Sequence, residues 1–173
     1  MNERLKSAAR TISLLLMALW LGAALSFGAV VAPTVFDVLR SHHLTNANEI
    51  AGTIVTRLLA IINGGGFAIS LALLVTAFVF KLTEKRAVFV AEVISLAIMS
   101  IMTALSQWVI AAKMLALRTV MQAPIDQIAR EDPRRVAFDS LHHYSVVALG
   151  IAMVAGLVAW IAMSQQKSAK GND

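Results

Sequence analysis

The chain has 173 residues, 58% of them hydrophobic and only 14% charged, with a mean hydropathy of +0.75. A soluble domain carries about 45–50% apolar and about 25% charged residues, so too little charge is present to coat a water-facing globule, and disorder, which needs low hydrophobicity, is excluded with it. Zero cysteines exclude a disulfide framework, an iron–sulfur centre and haem attachment through C-x-x-C-H, and the net charge of +5 reads as basic loops beside apolar spans, not as a nucleic-acid surface, because no basic run is interleaved with aromatics.

Four stretches reach the roughly 20 mostly apolar residues that a spanning helix needs: 11–32, 58–80, 87–112 and 144–163. The first follows Arg4, Lys6 and Arg10, and Gly22-Ala23-Ala24 imitates a leader cleavage site. Its apolar run exceeds the usual leader core of about 7–15 residues, so an uncleaved helix is expected. Pro33 removes a backbone donor and should kink or end that helix, leaving 35–39 to lie along the interface. In the second stretch Asn46 followed by Glu49 resembles a capping box, which predicts a helix of about 35 residues, or about 52 Å. The third should run on through 113–121 towards Pro124. The tail 164–173 is polar. Each run is continuous and too long for a strand, and alternating ten-residue barrel segments are absent. The expected fold is all-α: one integral domain, a four-helix transmembrane bundle in a lipid bilayer, with the second and third helices extending beyond the membrane.

With four spans the N-terminus, the second connection and the C-terminus share a face. That face carries eight Lys/Arg against three Asp/Glu, and the other seven against six. Five of those seven lie in one long connection, which weighs little in the positive-inside rule, so both termini are expected in the cytoplasm.

Small residues mark helix seams in lipid. Ala24, Gly28 and Ala32 on the first helix, with Gly22 and Ser26 beside them, suggest a ridge packing against Ala148, Ala152 and Gly156 on the fourth. Asn63-Gly64-Gly65-Gly66 suggests tight helix contact or, alternatively, a flexible point. On the third helix Glu92, Ser95, Met99, Thr103 and Ser106 share one direction at 100° per residue and should face the interior. Glu92 admits two readings: an intramembrane carrier of protons or cations, or a side chain reaching to the headgroups near Lys85 and Arg86.

The histidines form two doublets, His42-His43 and His142-His143, on the same non-cytoplasmic side. Imidazoles suit copper and haem iron, so His42, His43 and His142 are candidate metal ligands and His142 and His143 candidate cofactor ligands. The ordinary alternative is interfacial histidines.

Phe27-Gly28-Ala29-Val30-Val31-Ala32-Pro33-Thr34-Val35-Phe36 resembles the Ala-Pro-x-x-Phe signature that ends the first helix in the transmembrane-protein-205-like family. Phe138-x-x-Leu141-His142-x-x-Ser145 resembles the F-x-x-L-H-x-x-S signature of that family's last helix. Pro33, Phe36, Phe138, His142 and Ser145 match, while the Asn that commonly follows the Ser is replaced by Val146-Val147-Ala148-Leu149. The family is largely uncharacterised, with a bacterial branch known only as a domain of unknown function. The resemblance implies kinship with copper-resistance D-type membrane proteins and with membrane protoporphyrinogen oxidases that hold haem through histidine. Haem b or copper follows as an implied cofactor, and an inner (plasma) membrane of the bacterial type as an implied location.

Three functions compete. No Ser–His–Asp grouping, phosphate loop or carboxylate pair can be assembled from the motifs, which favours a non-enzymatic bundle that binds or organises partners, other membrane proteins or copies of itself. The alternatives are a haem or copper redox or transport protein built on His142, and a small proton- or ion-coupled transporter built on Glu92, whose polar companions would be Asn63, Ser95, Thr103 and Ser106.

Overall fold

A computed structural model describes residues 3–80 and 85–165. Lys81 and Glu84 in the second connection, and the tail from 166 with Lys167, Lys170 and Asp173, lie outside the described residues. The described residues form six α-helices: α1 (Glu3–Ser26), α2 (Ala32–Ser41), α3 (Ala47–Phe80), α4 (Arg86–Ala104), α5 (Ala111–Met121) and α6 (Pro133–Ser164). A π-helical turn at Phe27–Val31 joins α1 to α2, another at Leu105–Ile110 joins α4 to α5, and a 3₁₀ turn covers Ile125–Gln127. The chain thus makes four continuous rods, 3–41, 47–80, 86–121 and 133–164, each long and apolar enough to cross a membrane. No strand occurs among the described residues.

All four rods, not only the second and third, outrun the apolar core of a bilayer. At Pro33 the first helix neither ends nor lies down. The preceding π turn, closed by the Ala32 N–H on the Phe27 carbonyl, absorbs the missing donor and the helix continues to Ser41, with Val35 and Phe36 packed on the core. The fourth rod begins eleven residues before its apolar run, because the Asp132 carboxylate caps the Arg134 N–H and Pro133 takes the first turn, a position that tolerates its missing donor. The α3 helix starts within a residue of expectation. However, the Glu49 N–H goes to Asp126 Oδ2 at 3.2 Å, so the cap comes from the connection after α5 in place of a capping box with Asn46.

The rods pack up-and-down in a ring, α1 on α3, α3 on α4, α4 on α6 and α6 back on α1. The expected pairing of two small ridges is not what joins α1 to α6. Gly22 and Gly28 face open space, and the first rod turns Met17, Trp20, Ala24 and Phe27 inward instead. On α6 the small face is real: Ala148, Ala152, Ala155, Gly156 and Ala159 are buried, and Trp20 and Met17 fill the groove over Gly156. At the end of the bundle that holds residue 164, Arg10 donates to the Met163 and Ser164 carbonyls at 3.3 and 2.8 Å. It thereby satisfies acceptors that a helix C-terminus leaves open.

Candidate functional site

The polar line of the third rod lies inside the bundle: Glu92, Ser95, Met99, Thr103 and Ser106 are all buried. Glu92 is 2% exposed. Asn63, equally buried, donates from Nδ2 to Ser106 Oγ at 2.9 Å, and Ser106 shares a 3.3 Å hydroxyl contact with Ser145. One residue from each of three rods is tied into a chain of polar groups that lipid would leave unsatisfied. Asn63 Oδ1 has no partner.

Immediately beyond this polar node the rods part. Here α2 stays with α3 and α5 stays with α6, and between the two pairs lies a cavity of about 1140 Å³. Its walls are helical stripes. From α3 come Gly52, Val55, Thr56, Leu59, Ala60 and Asn63, spaced three and four apart, which is one face of a helix. From α6 come Arg135, Phe138, Asp139, His142 and Ser145 at the same spacing. The α5 rod contributes Trp108, Ala111, Leu115 and Arg118, and α2 contributes Pro33, Phe36, Asp37 and Arg40. Both π turns sit at the level where the rods separate, and such turns widen a helix locally and recur at functional sites.

Sequence reasoning named some of these residues and missed others. Pro33, Phe36, Phe138, His142 and Ser145, which carry the family resemblance from opposite ends of the chain, all line this one cavity, as does Asn63. Of the four histidines only His142 does. His143 lines a separate recess with Val136, Asp139, Ser140 and Tyr144, and exposed His42 and His43 line neither. Among the described residues no three His, Cys, Asp or Glu side chains form a group fit to hold a metal ion. Glu92, Ser95 and Thr103 lie deeper than the cavity, on the way to the opposite end. The arginines were missed, because in sequence they read only as loop charge.

The arginines share a pattern. Arg40 lies over the Phe36 ring, 5.5 Å from its centroid, and donates to Asn48 Oδ1 at 2.9 Å. Arg118 lies over the Phe138 ring at 5.2 Å, pairs with Glu49 at 3.3 Å and contacts Thr53. Gly52 makes room for it, since a Cβ there would meet its guanidinium at 2.6 Å. Two aromatic faces therefore hold two guanidiniums at the cavity wall, an arrangement that adds attraction to orientation. Arg135, which donates to the Ile128 carbonyl, and Arg130 line the cavity as well.

Asp139, His142 and Ser145 are the closest approach to a catalytic set, three residues apart on one helical face. No hydrogen bond joins them, however, and the Ser145 hydroxyl is turned to Ser106. Nucleophile and base would have to meet at about 2.6–3.2 Å.

The family described as a domain of unknown function, DUF4149, matches residues 15–123, which takes in α2, α3 and both π turns and ends before α6. Neither a curated protein nor a solved structure matches the chain. The chain belongs to the DUF4149 family.

Proposed function

We propose that this member of the DUF4149 family is a non-enzymatic membrane protein that binds a ligand in the cavity between its two helix pairs. The observation that carries the reading is convergence: both signature segments, from α2 and α6, wall one 1140 Å³ space, a volume at or above that of ordinary small-molecule pockets. The same convergence supports the transmembrane-protein-205-like relationship, whose two motifs then describe one site. An inner-membrane location with both termini cytoplasmic belongs to this reading, and it puts the cavity on the non-cytoplasmic half.

The residues present fit copper poorly. A copper site needs several imidazole or sulfur donors, whereas the cavity offers one imidazole, His142, and one thioether, Met114, among four guanidiniums that repel a cation. For haem the cavity holds His142 and the Met114 thioether as axial candidates. The transporter reading finds support in the buried column from Ser106 through Thr103 and Ser95 to Glu92, in which Met99 is fully buried.

Purification in mild detergent, followed by native mass spectrometry, an absorption spectrum and metal analysis, tests the proposal. A stoichiometric small molecule is expected on the wild type and lost in Ala60→Phe, with the thermal transition retained. Absence of any bound molecule from both overturns it, and a Soret band that disappears in His142→Ala replaces it with the haem reading.

A further inference from the structure

The cavity has two chemically different zones, and together they specify a ligand. Measured along α3, Gly52, where Arg118 lies, and Asn63 are eleven residues apart, about 16 Å. Between them the wall is mostly apolar, with Val55, Leu59 and Ala60 from α3 and Ala111 and Leu115 from α5 in the same lining, interrupted by Thr56. Around the upper zone stand Arg40, Arg118, Arg130 and Arg135, against Asp37 and Asp139 and Glu49 on Arg118, so cations outnumber these carboxylates by one. Arg118 already has Glu49 as its counter-ion. Arg40 is held by a neutral amide and an aromatic face, and Arg130 makes no ion pair or hydrogen bond among the described residues. Arg40 and Arg130 are exposed where they line the cavity, and guanidiniums there without carboxylate partners suit an anion that water also reaches, since their planar forks match phosphate oxygens two at a time.

Resting on the reading of the cavity as a binding site, we infer that its occupant is an anionic lipid. The apolar chain lies along the α3 stripe towards Asn63, and the phosphate headgroup is held by Arg40 and Arg130, with Arg118 and Phe138 fixing the floor of the head zone. The bilayer supplies such a molecule directly. Trp108 and Leu115 line the cavity and are also exposed, 55% and 64%, so the gap beside α5 opens sideways, where acyl chains are.

The test uses the delipidated full chain in detergent and three probes: dioleoyl phosphatidic acid, dioleoylglycerol with the same chains and no phosphate, and glycerol phosphate with no chains. Binding is read by native mass spectrometry and by thermal shift. Phosphatidic acid should bind at one equivalent, at least about tenfold tighter than either fragment. Arg40→Gln with Arg130→Gln should remove about tenfold or more of that affinity, while Arg40→Lys with Arg130→Lys, which keeps the charge but not the planar fork, should restore only part of it. Equal binding of phosphatidic acid and dioleoylglycerol, both abolished by Ala60→Phe, overturns the anionic assignment and leaves the cavity reading intact. Glycerol phosphate binding as tightly as the lipid overturns the apolar-chain assignment. Failure of all three probes on a protein whose thermal transition is intact, together with the absence of any co-purified molecule, removes the cavity reading itself.

Discussion

Gly66 has no side chain where the Trp20 indole lies. A Cβ there would stand 2.6 Å from Nε1 and 2.8 Å from Cε2, while the indole N–H donates to the Ile62 carbonyl at 2.9 Å and the far edge of the ring rests on Gly156. The ring is 4% exposed and has nowhere to retreat. Gly66→Ala should therefore cost about 1–3 kcal/mol, the usual range for overpacking. Gly64→Ala and Gly65→Ala meet nothing within 4 Å and should be neutral or stabilising, since glycine weakens a helix by roughly 0.5–1 kcal/mol. Thermal unfolding in one detergent separates the three; equal losses would show that the glycine run acts through the backbone and not through Trp20. A second contrast concerns the polar node. Ser106 meets both Asn63 and Ser145, so Ser106→Ala should cost about 1–2 kcal/mol, near the upper limit for interhelical hydrogen bonds in membranes. Ser145→Ala loses only the 3.3 Å contact and should cost less by the same measurement.

Elements were legible where one physical requirement acts alone. Lipid demands long apolar helices with every backbone group satisfied, so 58–80 and 87–112 were readable from hydropathy and fall within α3 and α4–α5. The start of α6 was also written in the chain, as Asp132 followed by Pro133, but the apolar run began later and drew attention away. The π turns and the Asp126 cap were not legible, because each depends on which rods come together. Asp126 accepts from the Glu49 N–H and from Asn48 Nδ2, while Glu49 Oε2 accepts the Ile125 N–H at 3.2 Å. This reciprocal lock supplies the negative charge that a helix N-terminus favours. Asp126→Ala should fray residues 47–52 at a cost of about 1 kcal/mol, the typical value of a cap, and faster amide exchange confined to that turn is the expected sign. At α6, Arg134 beside Asp132 holds its carboxyl down at about 2, from an ordinary 3.8. A lowered carboxylate pKa favours the folded end above the ordinary value and is lost as pH falls through the lowered one. Protection of the first α6 turn should thus be flat above pH 3.8 and decline towards about 2. Asp132→Ala should remove that decline; an unchanged acid profile would place the titrating group elsewhere.

At the scale of the whole molecule the cavity exists because the bundle is tight at one end and forked at the other. The ring of four rods is closed around Met17, Trp20, Leu96 and Met99. Past Asn63 the pairs diverge, held across the gap by Arg118 on Glu49 and by Asp126 on the start of α3. Sequence patterning carried part of the ring, since the polar line of the third rod and the small face of α6 mark interior faces, whereas Gly22 and Gly28 of the first rod do not. It did not carry the fork, which has no periodicity of its own. The fork fixes which residues share an end: residues 42 and 143 at one, residue 5 at the other. Because the native chain contains no cysteine, His42→Cys, His143→Cys and Leu5→Cys each introduce a unique thiol at an exposed position. On the inner-membrane orientation proposed above, an impermeant maleimide applied to intact spheroplasts should label the first two and reach residue 5 only after permeabilisation. The mirror pattern would invert the protein and turn the arginine-lined cavity towards the cytoplasm without altering the fold. Labelling of 42 and 143 from opposite sides would break the four-rod ring, and with it the meeting of α2 and α6 that makes the cavity.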